Sequence, residues 1–111
     1  MKIVSLNFEV IRATPAIAEF VVRVGLDRPA TGCEITGHAV GPRCEGISTV
    51  EVAYPMTVAA SSDPIVSLRC AIPAPNLWTS ELRFTYAVSI ALHLGEVRVD
   101  SRGGVVALRA R

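Results

Sequence analysis

The sequence predicts an all-β fold, an immunoglobulin-like antiparallel β-sandwich of about seven to eight strands. Apolar and polar residues alternate with a period of two along most of the chain, which is typical of strands with one buried face. Turn residues interrupt this alternation about every 10 to 14 residues. The 111 residues suit one hydrophobic core, so residues 1–111 are predicted to form a single domain.

The first three strands are predicted from this alternation and from the turns that separate them. Residues 3–11 and 16–26 each alternate apolar and polar side chains. Residues 27–32 contain the proline and glycine that favour a turn. A third strand then begins at Cys33, and we expect it to end at residues 41–42, a glycine followed by a proline.

A fourth strand is predicted over residues 50–58, where the alternation is cleanest. Pro55 lies within it and cannot donate a hydrogen bond to a neighbouring strand, so we expect this strand to lie at a sheet edge or to bend there. The apolar residues expected to share one face are Val50, Val52, Tyr54, Met56 and Val58.

The second half of the chain predicts four further strands, over residues 66–72, 84–94, 97–100 and 105–109. The longest of these has six apolar or aromatic side chains on one face, namely Phe84, Tyr86, Val88, Ile90, Leu92 and Leu94. Because Gly103 and Gly104 are adjacent, residues 101–104 are predicted to form a turn between the last two strands.

Two large aromatic residues mark the connection that precedes the longest strand. Trp78 follows Pro75, and Tyr86 lies near the start of the strand. We expect both rings to pack in the core and the tyrosine hydroxyl to have a hydrogen-bond partner. The alternative for Trp78 is an exposed platform on which a sugar ring stacks.

The order of residues in this region resembles a known family. The segment Pro75-Asn76-Leu77-Trp78 is followed by Tyr86, by the alternating Val88, Ile90 and Leu92, and then by Gly95, Val99 and Asp100. This order resembles the signature that closes the immunoglobulin-like β-sandwich domain of family 2 glycoside hydrolases, the β-galactosidase, β-glucuronidase and β-mannosidase group. The chain departs from that signature at Thr79-Ser80, Arg83 and Thr85, and the resemblance is specific only over about residues 72 to 100.

The resemblance implies a non-catalytic module that links neighbouring domains, because in that family both catalytic glutamates lie in a separate barrel. From the residues themselves, no catalytic residue, cofactor site or enzymatic activity is predicted. A glycosidase needs two carboxylates at a fixed separation, and the candidate carboxylates of this chain all fit turns or solvent-facing strand positions. The six considered as candidates are Glu34, Glu45, Glu51, Glu81, Glu96 and Asp100.

No metal site is predicted, because His38, His93 and the three cysteines lack the short spacings that mark one. Cys33 and Cys44 could close a disulfide across the third strand, whereas Cys70 is expected to be a small buried residue.

The expected partners are neighbouring domains of a parent glycoside hydrolase or another protein. Nucleic acid is not expected, because the net charge is +1 and the basic residues are dispersed. No membrane span or signal peptide is predicted, and the sequence does not indicate a compartment. Two other functions stay open, a fibronectin-type binding or adhesion module and a subunit that assembles through the edge of the strand at residues 50–58.

Overall fold

The computed structural model describes residues 1–110 and confirms the immunoglobulin-like β-sandwich. Eight strands follow one another along the chain: β1 (Ile3–Ala13), β2 (Ile17–Leu26), β3 (Cys33–Arg43), β4 (Val52–Pro55), β5 (Thr57–Ser62), β6 (Ile65–Pro73), β7 (Thr85–Leu94) and β8 (Val97–Val106). None of the described residues forms a helix with the length and apolar character needed to cross a bilayer.

The strands form two four-stranded sheets in which every pairing is antiparallel. The first sheet has the order β1-β2-β6-β5 and the second has the order β4-β3-β7-β8. Immunoglobulin constant-type domains order their strands in the same way, as A-B-E-D and C-F-G. Here β4 adds one strand beside β3, at the edge of the second sheet.

The core lies between the two sheets and is built from alternate residues of the central strands. In β2, β6 and β7, every second side chain is buried, as the period-two pattern predicts. The largest fully buried side chains include Phe20, Tyr86, Leu68, Ile72, Ile90 and Leu92.

The strand predicted over residues 50–58 is divided between the two sheets. β4 ends at Pro55 and pairs with β3, whereas β5 begins at Thr57 and pairs with β6. The bend expected at Pro55 is confirmed, and both halves lie at sheet edges. The single buried face expected for this segment is wrong, because Val50 is 87% exposed and Val58 is 57% exposed.

Two segments that were predicted to interrupt the strands lie inside strands instead, namely residues 41–42 and residues 101–104. β3 continues through residues 41–42, and the absence of a side chain at Gly41 leaves room for the Tyr86 ring, whose Cδ1 lies 2.7 Å from where a Cβ would be. The turn predicted over residues 101–104 is also wrong, because these residues are part of β8. Gly104 packs under the ring of Phe8, whose Cζ lies 2.7 Å from the position of a Cβ.

The edges of β1 and β8 are joined by polar contacts. The Asp100 carboxylate accepts the Ile3 backbone N–H at 2.8 Å, and Arg102 Nη1 donates to the Ile3 carbonyl oxygen at 3.4 Å. The hydrogen bonds from the backbone N–H groups of Ile3 and Ser101 hold the pKa of Asp100 below its usual value. Asp100, one of the residues on which the resemblance to family 2 glycoside hydrolases rests, therefore connects the two sheets.

Candidate functional site

The connection between β6 and β7 is fixed by a buried tyrosine. Tyr86 is 1% exposed, and its hydroxyl oxygen accepts the backbone N–H of Asn76 at 3.0 Å. Burial raises the pKa of this phenol. Immunoglobulin domains have a similar arrangement, the tyrosine corner, at their E–F crossing. The expectations of burial and of a hydroxyl partner are both confirmed.

Trp78, at the other end of this connection, lies outside the hydrophobic core. Its ring is partly buried and is covered by the guanidinium of Arg109, whose carbon lies 4.1 Å from the ring centroid. The Trp78 backbone N–H donates to the Leu108 carbonyl oxygen at 2.9 Å. The expected core packing is therefore wrong, because the ring packs on the segment that follows β8. The guanidinium of Arg109 also covers a face of the indole ring on which a sugar ring would stack.

The cysteines are separate from one another. Cys33 and Cys44 lie at opposite ends of β3, which places them roughly 30 Å or more apart. A disulfide needs Cα atoms within about 7 Å, so the considered bridge does not form. Cys70 is 1% exposed, as expected, and burial raises the pKa of its thiol to about 11.

The histidines and carboxylates do not converge on one point. His38 lies in β3 and His93 in β7, where its Nε2 is 3.3 Å from the Thr36 hydroxyl. Glu19 is bound by two arginines, which lower its pKa. Among residues 1–110, no three His, Cys, Asp or Glu side chains are arranged to hold a metal ion.

Large apolar side chains are exposed along the edges of the sandwich. Twelve such residues in the described part of the chain are at least 38% exposed. One group lies on β4, on β5 and just before β4, and it includes Val50, Val52 and Val58. A second group lies along β8 and includes Val97 and Val105, both 64% exposed. These two edges are the candidate protein-contact surfaces of the domain.

A groove of about 320 Å³ opens next to the first group. It lies where β3, β5 and β6 approach one another, and its lining includes Cys33, Ile35, Val58 and Val66. The lining is largely apolar, and its charged member is Glu34. An apolar side chain of a neighbouring protein surface could enter this groove. The sequence signal for it was weak, because these residues belong to three separate strands.

In comparisons with known proteins, no family model matches the chain and no curated protein sequence matches it significantly. The resemblance to family 2 glycoside hydrolases therefore stays a prediction based on the residues of the β6–β7 connection and of β7 and β8.

Proposed function

We propose that this chain is a non-catalytic β-sandwich module that holds neighbouring protein domains in a fixed arrangement, similar to the central domain of a family 2 glycoside hydrolase. The observation that carries the proposal is the set of exposed apolar side chains along β4, β5 and β8. Several large apolar side chains exposed on the same edge strands suit a surface that contacts another protein. Contact with flanking domains would remove these side chains from water.

The contacts of Trp78 also support a linking role. Its backbone N–H binds the Leu108 carbonyl, Leu108 is fully buried, and Arg109 stacks on the indole. The direction of the chain after β8 is therefore set by contacts with the body of the domain. A module that positions a following domain needs such a fixed direction.

The carboxylates offer little support for an alternative glycosidase function. Glu19 and Glu51 are in ion pairs with arginines, and the Asp100 oxygens accept backbone N–H groups. A general acid needs a raised pKa, whereas those of Glu19 and Asp100 are lowered.

The native size of the polypeptide tests the proposal. An antibody raised against the recombinant chain, used on extracts of the source organism, should detect a polypeptide much larger than 11.8 kDa. That larger protein should hydrolyse a chromogenic β-galactoside, β-glucuronide or β-mannoside, and the recombinant chain should hydrolyse none of them.

Two results would contradict the proposal. A native band only at 11.8 kDa would favour the stand-alone binding module, for which the groove beside Val58 is the supporting observation. Glycoside hydrolysis by the recombinant chain that disappears when one specific carboxylate is changed would instead make the chain an enzyme.

A further inference from the structure

The second sheet has a short free edge at the start of β3. β4 pairs with β3 only between His38 and Gly41, and the chain then crosses to the other sheet. The last contact in this ladder is the Met56 N–H, which donates to the Gly37 carbonyl oxygen at 2.9 Å. At residues 33–36, no strand of the described chain pairs with β3 on the side away from β7. The place that a longer β4 would occupy is therefore open.

Ile35 directs both of its backbone hydrogen-bonding groups to this free edge. In an antiparallel sheet, successive residues of a strand turn their N–H and C=O groups to opposite neighbours. The Gly37 carbonyl points away from β7, toward Met56, so the groups of Ile35, two residues earlier in a regular stretch of β3, point the same way. The N–H of Cys33 also lies on this side, but it donates to the Ala30 carbonyl. Ile35 therefore offers one donor and one acceptor to an added strand.

The apolar groove of about 320 Å³ lies beside this edge. Ile35 and Val66 line it and are only 7% and 6% exposed, whereas Val58, on β5, is 57% exposed. Residues opposite each other on paired strands direct their side chains to the same face of a sheet. A residue added opposite Ile35 would therefore direct its side chain into the groove. An apolar side chain there would cover Val58 and remove more of the groove from water.

The rim of the groove is acidic. Glu34 lines it, and no lysine or arginine of the described chain does. Glu34 forms no ion pair among the described residues, and Arg98, in the same row, lies beyond His93 on β8, roughly 10 Å away. Asp63 is also close, because burial and then the charge of Asp63 raise the pKa of the Cys33 thiol. The residue of an added strand that lies opposite Glu34 is therefore favoured to be basic.

We propose that this edge of β3 binds an extended peptide segment of another protein, in which a basic residue adjoins an apolar one. The segment adds a short strand beside residues 33–36 and exchanges two backbone hydrogen bonds with Ile35. Its apolar side chain enters the groove, and its basic side chain pairs with Glu34. This inference goes beyond the linking role, because strand addition here requires no flanking domain. The native size of the polypeptide and peptide binding are separate measurements, so either proposal can fail without the other.

The probe is the peptide acetyl-Ser-Lys-Leu-Lys-Ser-amide, whose leucine has a lysine on each side and fits opposite Ile35 in either strand direction. Titration of the ¹⁵N-labelled chain should give saturable shifts at the amides of Ile35 and Val58, with a dissociation constant of about 1 mM or lower. In the free chain, the Ile35 amide should exchange with water at least about tenfold faster than the Thr36 amide, which faces β7. Shifts that do not saturate below about 10 mM, or equal protection of the two amides, would overturn the proposal.

N-methylation of the peptide distinguishes an added strand from simple insertion of a side chain. A methyl group on the leucine nitrogen removes the N–H that donates to the Ile35 carbonyl, and it should raise the dissociation constant about tenfold. Methylation of either lysine nitrogen is the matched control, because those N–H groups point away from β3. It should change the constant by less than about threefold. Equal weakening by both modifications would contradict strand addition.

Glu34→Lys tests the choice of a basic neighbour. It should raise the dissociation constant of this peptide about fivefold and lower that of a peptide with glutamates in place of the lysines. Glu45→Lys is the matched control, because Glu45 follows the other end of β3 and does not line the groove. It makes the same change of charge and should have less than about a twofold effect. Equal effects of both variants would show only diffuse charge attraction and would overturn the assignment, and the amide spectra show whether each variant is folded.

Discussion

Substitution of Gly104 tests the packing between the edges of the two sheets. In β8, a Cβ at position 104 would lie 2.7 Å from Cζ and 3.0 Å from Cε2 of Phe8. Favourable carbon contacts are about 3.5 to 4.0 Å, so the ring or the strand must move. Overpacking of this kind costs about 1 to 3 kcal/mol, and we expect Gly104→Ala to lower the free energy of unfolding by that amount.

The reasoning is tested by a double-mutant cycle with Phe8→Ala. Without the ring, Gly104→Ala should cost less than about 0.5 kcal/mol or should stabilise, since alanine restricts the unfolded chain more than glycine does. The expected coupling energy is therefore about 1 to 3 kcal/mol. Urea titration followed by far-ultraviolet circular dichroism measures all four proteins.

Gly95→Ala provides the control for this cycle. Gly95 has a φ of +62° and open space around its Cα, so alanine there is strained by the backbone and not by a neighbour. Gly95→Ala should lower the free energy of unfolding by about 1 to 2 kcal/mol, and by the same amount in the Phe8→Ala background. If Gly104→Ala behaves in the same way, with no coupling to Phe8, then the packing of the Phe8 ring on Gly104 is refuted.

Three further predictions concern single side chains. Tyr86→Phe should cost about 1 to 2 kcal/mol in urea titration, because it leaves a backbone N–H without its acceptor; a loss below about 0.5 kcal/mol would mean that the bond contributes nothing. The raised pKa of Cys70 means that the unfolded state loses the thiol proton first, so stability should be complete below about pH 9 and should fall by roughly 2 to 3 kcal/mol as the pH rises to 11. Cys70→Ala should reduce this alkaline slope, and an unchanged slope would contradict the assignment. Trp78→Ala should cost about 1 to 3 kcal/mol, less than a core tryptophan, and a double-mutant cycle with Arg109→Ala should give a coupling of about 0.5 to 1 kcal/mol; no coupling would exclude the stacking.

The sequence predicted the central strands correctly because each of them alternates apolar and polar residues. A strand with one buried face alternates apolar and polar residues whatever its partner is, so β2, β6 and β7 were evident from their own residues. The partner of the Tyr86 hydroxyl was expected for a similarly local reason, since a buried hydroxyl needs a hydrogen bond.

The incorrect predictions depend on contacts with distant residues. Adjacent glycines normally indicate a turn, but at Gly104 the missing side chain is replaced by the ring of Phe8, which lies on another sheet. Pro55 indicated an edge or a bend, but the sequence did not show that β5 joins the other sheet, because the alternation continues across the switch. Trp78 was placed in the core on the basis of its size, although the chain after β8 is what covers it.

The grouping of polar side chains on the outer face of the second sheet could not be predicted for the same physical reason. Thr36 and His38 are followed by Arg98 only after many intervening residues, and each occupies an outward strand position where a polar residue needs no explanation. The antiparallel register of β3, β7 and β8 brings them to opposite sides of a floor made of small residues. The apolar residues of this chain therefore determine the fold, whereas the grouping of polar residues on its outer face depends on the strand register.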